Sequence, residues 1–177
     1  MNRPEEIALK YVGMTELPGN RFTDETSLGR MLKAAGQKDG ESWCCYFCEG
    51  VMVEAFPQFE KILRKLFSAN CVQTLKNFEK AGFPILPLPK VGTVMIMQRM
   101  VNGQPQTKGH AGIPYKLLNS WEFECIEGNS NDEGGREGYE VAHQPKRQTK
   151  KDVWNGLKIV GFIDIAAYIE EYAKKVS

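Results

Sequence analysis

Ser42-Trp43-Cys44-Cys45-Tyr46-Phe47-Cys48-Glu49-Gly50-Val51 is the stretch on which the reading of this chain turns. Ser42 suits a helix N-cap, because its hydroxyl accepts from backbone N–H groups two or three residues on. No proline follows until after Phe56, and Cys44, Phe47, Cys48, Val51 and Ala55 recur at helical spacing. The pattern predicts a helix with Cys44 in its first turn, on the inward face. There a thiol meets the positive end of the helix dipole and backbone N–H groups without intrahelical acceptors, both of which favour the nucleophilic thiolate. The competing reading is a buried cysteine acting as small apolar filler. A catalytic thiol needs a base, which must come from elsewhere in the chain. Of its neighbours, Cys45 is expected to project away beside Glu49 and Met52, and Cys48 to lie one turn deeper as filler.

The composition of the 177 residues fits that search, with 42% hydrophobic and 25% charged residues, as in a single globular domain. A formal charge of +1 implies no nucleic-acid partner. No apolar run has the length of a membrane span. Met-Asn-Arg-Pro-Glu-Glu lacks the apolar centre of a secretory signal, so synthesis in the cytoplasm is expected. Five cysteines, an odd number with three crowded into one helix, speak against a disulfide framework.

Outward from the central helix, the N-terminal side reads as short helices over Pro4–Val12 and Ser27–Ala35. The C-terminal side continues with Gln58–Ala69 and with a helix capped by Ser68 or Asn70 that stops at Gly82. The proline-rich link 83–89 cannot be helical. Beyond it the period changes from 3.6 to 2, predicting strands over Val91–Met100, Gly109–Leu117, Trp121–Glu127, Tyr139–Ala142 and Leu157–Ile163. Short connections predict an antiparallel meander, with Pro114 at an edge or a bulge. Gly128–Gly138 is expected as a surface loop, Lys146–Lys151 as a solvated basic connector, and Ile165–Val176 as a closing amphipathic helix. Helices first and then sheet make an α+β domain.

There are two histidines. His110 opens a predicted strand between Gly109 and Gly112, which leave room beside its ring, whereas His143 falls in a polar loop. Glu127 and Asn129 leave the next strand two residues apart and so point to one side if that strand continues. A carboxylate or amide beside His110 accepts its ring N–H and supports the imidazolium.

Trp43-Cys44 with Tyr46-Phe47, then Gly109-His110-Ala111-Gly112-Ile113, then Ile126-Glu127-Gly128-Asn129 resembles the CHAP family of cysteine- and histidine-dependent amidohydrolases and peptidases. The likeness extends from about Glu5 to Ile163 through Gly13, Glu16, Gly19 and Asn20, Pro89-Lys90-Val91-Gly92 and Gly161-Phe162-Ile163. It implies a papain-like catalytic domain over residues 1–163, with 164–177 as a helical extension. It also implies Cys44 as nucleophile, His110 as base, Glu127 as the acceptor orienting it and Asn129 as a second polar partner. Trp43 stands beside the nucleophile as a packing and substrate-binding residue. The implied substrate is peptidoglycan, cleaved by a monomer that reaches the wall or periplasm after release, as a phage-type lysin does. Some relatives carry an Asp-rich calcium loop, for which Asp39 and Glu41 are too sparse, so no metal or cofactor is expected. Two other readings stand beside this one: a cysteine amidase acting on a substrate outside the wall, and a zinc or redox module built on Cys45-Tyr46-Phe47-Cys48.

Overall fold

A computed structural model describes residues 3–131, 138–150, 153 and 155–176. Its helices are α1 (Pro4–Leu9), α2 (Ser27–Ala34), α3 (Cys44–Ala55), α4 (Glu60–Leu66, entered through a 3-10 turn at Pro57–Phe59), α5 (Cys71–Lys80) and α6 (Ile169–Val176). Its strands are β1 (Ile85–Leu86), β2 (Val94–Val101), β3 (Gln104–Leu117), β4 (Glu122–Ser130), β5 (Glu140–Gln148) and β6 (Leu157–Ile163). The domain is therefore α+β, with five α-helices preceding the main sheet and one following it among the described residues.

All six strands pair antiparallel in the order β1-β6-β2-β3-β4-β5. The expected meander accounts for β2 through β5 only. β6 leaves the β5 edge and returns to the far side, where it lies between β1 and β2. Strand alternation along β2 sends Val94 and Ile96 into the main core and Met95 and Met97 into a second cluster with Phe123, Cys125, Leu157 and Phe162. Both faces of the central sheet are thereby buried. Pro114 stands in the interior strand β3, where the pairing with β4 shifts register between Pro114 and Lys116. A bulge, not an edge, accommodates its missing N–H.

The central helix is α3. It is apolar nearly all round and packs against α1, α2, α4, β3 and β4. Glycines let the sheet approach it closely. A Cβ on Gly128 would come within 2.7 Å of both Phe47 and Trp43, so only glycine fits where β4 crosses the start of the helix.

Several boundaries differ from the sequence-based expectation. β5 runs on to Gln148, because Pro145 is tolerated in an edge strand. The expected basic connector Lys146–Lys151 therefore begins as strand; Lys151 lies outside the described residues, as do residues 132–137 of the expected surface loop. His143 belongs to β5 and not to a loop, with Nε2 2.9 Å from Glu124 Oε2. The C-terminal helix starts at Ile169, and the segment before it is held by the Lys90–Asp164 ion pair at 2.6 Å. Among the described residues no helix is long and apolar enough to cross a membrane.

Candidate active site

The start of α3 is not capped by Ser42. Trp43 occupies the N-cap position without a side-chain cap of its own. The anchor comes from β4: Asn129 Oδ1 accepts the Trp43 backbone N–H at 2.7 Å, and Asn129 Nδ2 donates to the Gly138 carbonyl at 2.7 Å. Trp43 itself is fully buried, edge-on to Phe22 and Phe47, with its indole N–H donated to Glu16 Oε2 at 2.6 Å. It is a packing residue. The substrate-binding assignment for Trp43 fails, because no part of it reaches the surface.

This anchoring sets Cys44 as the first residue of α3, near enough to His110 for the charge of each to act on the other. The imidazole is fully buried on β3, and its Nε2 lies 2.9 Å from Glu127 Oε2 on the neighbouring strand β4. Its Nδ1 is buried without a hydrogen-bond partner among the described residues. With Nε2 engaged by Glu127, Nδ1 is the nitrogen left to serve the thiol. Gly112 does not make room for the ring, as the sequence suggests, but for its partner. A Cβ there would stand 2.6 Å from Glu127 Cγ.

Asn129 does not join this pair. The pairing of β4 with β5 shifts register between Glu127 and Ser130, and Asn129 takes a left-handed φ of 52°. The bulge breaks the alternation that would have set Glu127 and Asn129 on one side. Asn129 is thus a positioning residue for the helix carrying Cys44, and the role of second partner to His110 is withdrawn. Asn129→Ala removes the buried acceptor of the Trp43 N–H and forces an alanine into the left-handed region. It is expected to cost about 2–4 kcal/mol of stability, read by urea unfolding.

Two further residues complete the site. Arg147 on β5 donates Nε to Glu127 Oε1 at 2.7 Å and its terminal nitrogen to Oε2 at 2.6 Å, a two-pronged pair with both side chains buried. Cys71, first residue of α5, brings its sulfur to 3.5 Å from that of Cys44. Arg147 hides in the sequence inside a basic run that reads as solvated. The signal for Cys71 is legible, since it follows the predicted cap Asn70 and so starts a helix as Cys44 does.

The electrostatics follow from these contacts. Burial alone would raise the Glu127 pKa, but the charge of Arg147 and hydrogen bonds from His110 and Arg147 hold it at about 2. Burial would lower that of His110, yet the negative charge of Cys44, together with the hydrogen bond to Glu127 and its charge, raises it to about 9. The Cys44 pKa is held well below the usual thiol range, chiefly by a hydrogen bond from Cys71 and against burial, with the charge of His110 assisting. The favoured state is a thiolate–imidazolium pair backed by an ionised glutamate.

The other thiols lack this setting. Cys45 Sγ lies 3.3 Å from Thr74 Oγ1, while Glu49 pairs with Arg64 at 2.9 Å. Burial, first, pushes the Cys48 thiol well up, as expected of filler. A cleft of about 240 Å³, lined by Ser42, Cys44, Ala69, Asn70, Cys71 and Lys108 among others, leads to the two facing sulfurs. Fold and site together define an α+β domain carrying a buried Cys–His–Glu arrangement below an open cleft. Compared with protein-family models and with curated protein sequences, the chain matches none.

Proposed function

We propose that the protein is a cysteine amidohydrolase or peptidase of the papain-like CHAP class, and that it hydrolyses an amide bond of peptidoglycan. The observation that supports the chemistry is the placement of Cys44, at a helix start beside a buried imidazole whose far nitrogen is held by Glu127. The thiolate attacks the amide carbonyl. Developing negative charge on oxygen meets the Cys44 backbone N–H, which as the first of the helix has no intrahelical acceptor. His110 gives its Nδ1 proton to the leaving amine, and the amine departs as the thioester forms. A water, deprotonated by the now neutral imidazole, attacks the thioester and restores the thiolate–imidazolium pair. Glu127 fixes the ring and supports its positive charge throughout, as a charge-paired acceptor that is never itself protonated.

The peptidoglycan assignment rests on the resemblance of the Trp43-Cys44, Gly109-His110 and Glu127-Gly128-Asn129 motifs to those of wall hydrolases. It is tested by incubating the protein with purified peptidoglycan and mapping new amino and carboxyl ends by mass. New peptide ends, or free lactyl carboxyls, that are missing from a Cys44→Ala digest support it. Intact peptidoglycan combined with Cys44-dependent cleavage of a peptide library moves the substrate outside the wall.

A further inference from the structure

We infer that Cys71 is a resolving thiol, so that hydroperoxides convert Cys44 and Cys71 into a reversible disulfide that closes the active site. The inference uses the same reactive Cys44 as the proposed hydrolase. Its geometry is independent of any substrate: two helices, α3 and α5, each begin with a cysteine, and the two sulfurs face each other at 3.5 Å. Both residues line one cleft, so a small peroxide reaches them although each is nearly buried. A thiol this close to a catalytic thiolate is not required for amide hydrolysis, which needs one sulfur and one base.

The chemistry balances with the peroxide as the oxidant. The Cys44 thiolate attacks one peroxide oxygen, a sulfur–oxygen bond forms and the oxygen–oxygen bond breaks. The expelled oxygen leaves as alcohol or water after taking a proton, for which His110 is the adjacent donor. Cys44 is now a sulfenic acid. Cys71 sulfur then attacks Cys44 sulfur, forming the disulfide and expelling hydroxide, which leaves as water with the Cys71 proton. Two thiols are oxidised by two electrons, and one hydroperoxide is reduced. Timing is built into the pair. While Cys44 is a thiolate it accepts the hydrogen bond of Cys71 and, chiefly for that reason, keeps the Cys71 thiol protonated. Once Cys44 is a neutral sulfenic acid that largest restraint is gone; the hydrogen bond to Cys45 and burial still raise the Cys71 thiol, and the N-terminus of α5 acts against them. Cys45, also close to Cys71, is the rival partner.

The test oxidises the whole protein, whose five cysteines are free, with a small excess of hydrogen peroxide. Remaining thiols are then alkylated under denaturing conditions, and the peptides are mapped without reduction. Expected is a Cys44–Cys71 link that forms in wild type and in Cys45→Ser and is lost in Cys44→Ser. In Cys71→Ser, the fraction of initial Cys44 alkylation restored by dithiothreitol falls about tenfold or more, because the sulfenic acid goes on to sulfinic acid. A link from Cys45 to Cys71, oxidation of Cys44 with Cys71 still alkylatable, or a Cys44 inert to peroxide overturns the inference. Because the readout is a covalent map, a Cys44–Cys71 link in a protein that cleaves no amide sustains this inference and removes the proposed hydrolase.

Discussion

Cys44→Ala and His110→Ala are each expected to lower amide hydrolysis by about a thousandfold or more, and the double variant to be scarcely worse than either. The reason is that the two groups hold one proton between them. Without the thiol, His110 has no nucleophile to serve. Without the imidazole, the thiolate loses both its counter-charge and the proton donor for the leaving amine. The folded state should survive both changes. Cys44→Ala removes a single small buried group. His110→Ala leaves Glu127 still gripped by two nitrogens of Arg147, so no buried carboxylate is left unpaired. Turnover of the four proteins, each checked by circular dichroism, reads the result. Independent, multiplicative losses would contradict a coupled pair.

Arg147→Met carries the largest expected effect on stability, a loss of about 3–5 kcal/mol at neutral pH. It leaves the Glu127 carboxylate buried beside His110 and Ser130 Oγ, the latter at a long 3.5 Å. The sign of the pH dependence follows from the depressed pKa. A carboxylate at about 2 in the fold, against an ordinary 4.5, contributes stability that is present above 4.5 and lost as pH falls toward 2. Without Arg147 burial is opposed chiefly by His110, the Glu127 pKa rises, and the loss on acidification moves to higher pH. Activity should fall too, because a protonated Glu127 no longer supports the imidazolium. Adding Glu127→Gln to Arg147→Met is expected to recover much of the stability and none of the activity. Urea unfolding between about pH 3 and 7, alongside turnover, separates the two effects. A stability unchanged in Arg147→Met would mean that the pair is not a coupled buried ion pair.

The parts of this site that the sequence made legible are those written in local pattern. A proline-free apolar run with helical period places Cys44 at a helix start, and Gly109-His110 opens a strand core. Glu127 on the next strand follows from ordinary hairpin pairing. What stayed hidden depends on contacts between distant segments. Arg147 sits in a run of basic residues, and its burial follows only from β5 continuing past Pro145 as an edge strand. Asn129 looked like a partner for His110 because strict alternation sets it beside Glu127; a bulge with a left-handed residue turns it to the start of α3 instead. Trp43 looked available to a substrate until Phe22, Phe47 and Glu16 closed around it. The return of β6 to the far side of the sheet was equally invisible, since short connections favour neighbours and cannot announce a strand that crosses over.

The pH dependence of Cys44 alkylation tests the thiolate–imidazolium pair most directly. Substoichiometric iodoacetamide is reacted with the protein from about pH 5 to 10, and each cysteine is read by peptide mass, against an ordinary thiol pKa of about 8.5. Cys44 should label first, at a rate already near its plateau at about pH 6, where an ordinary thiol is almost wholly protonated. The rate should change again only as His110 loses its proton, at about 9. His110→Ala should slow the labelling at mildly acidic pH without redirecting it to another cysteine. A Cys44 rate that climbs tenfold per unit from about pH 6 to 8, as for an unactivated thiol, or labelling led by Cys45, would contradict Cys44 as the activated nucleophile.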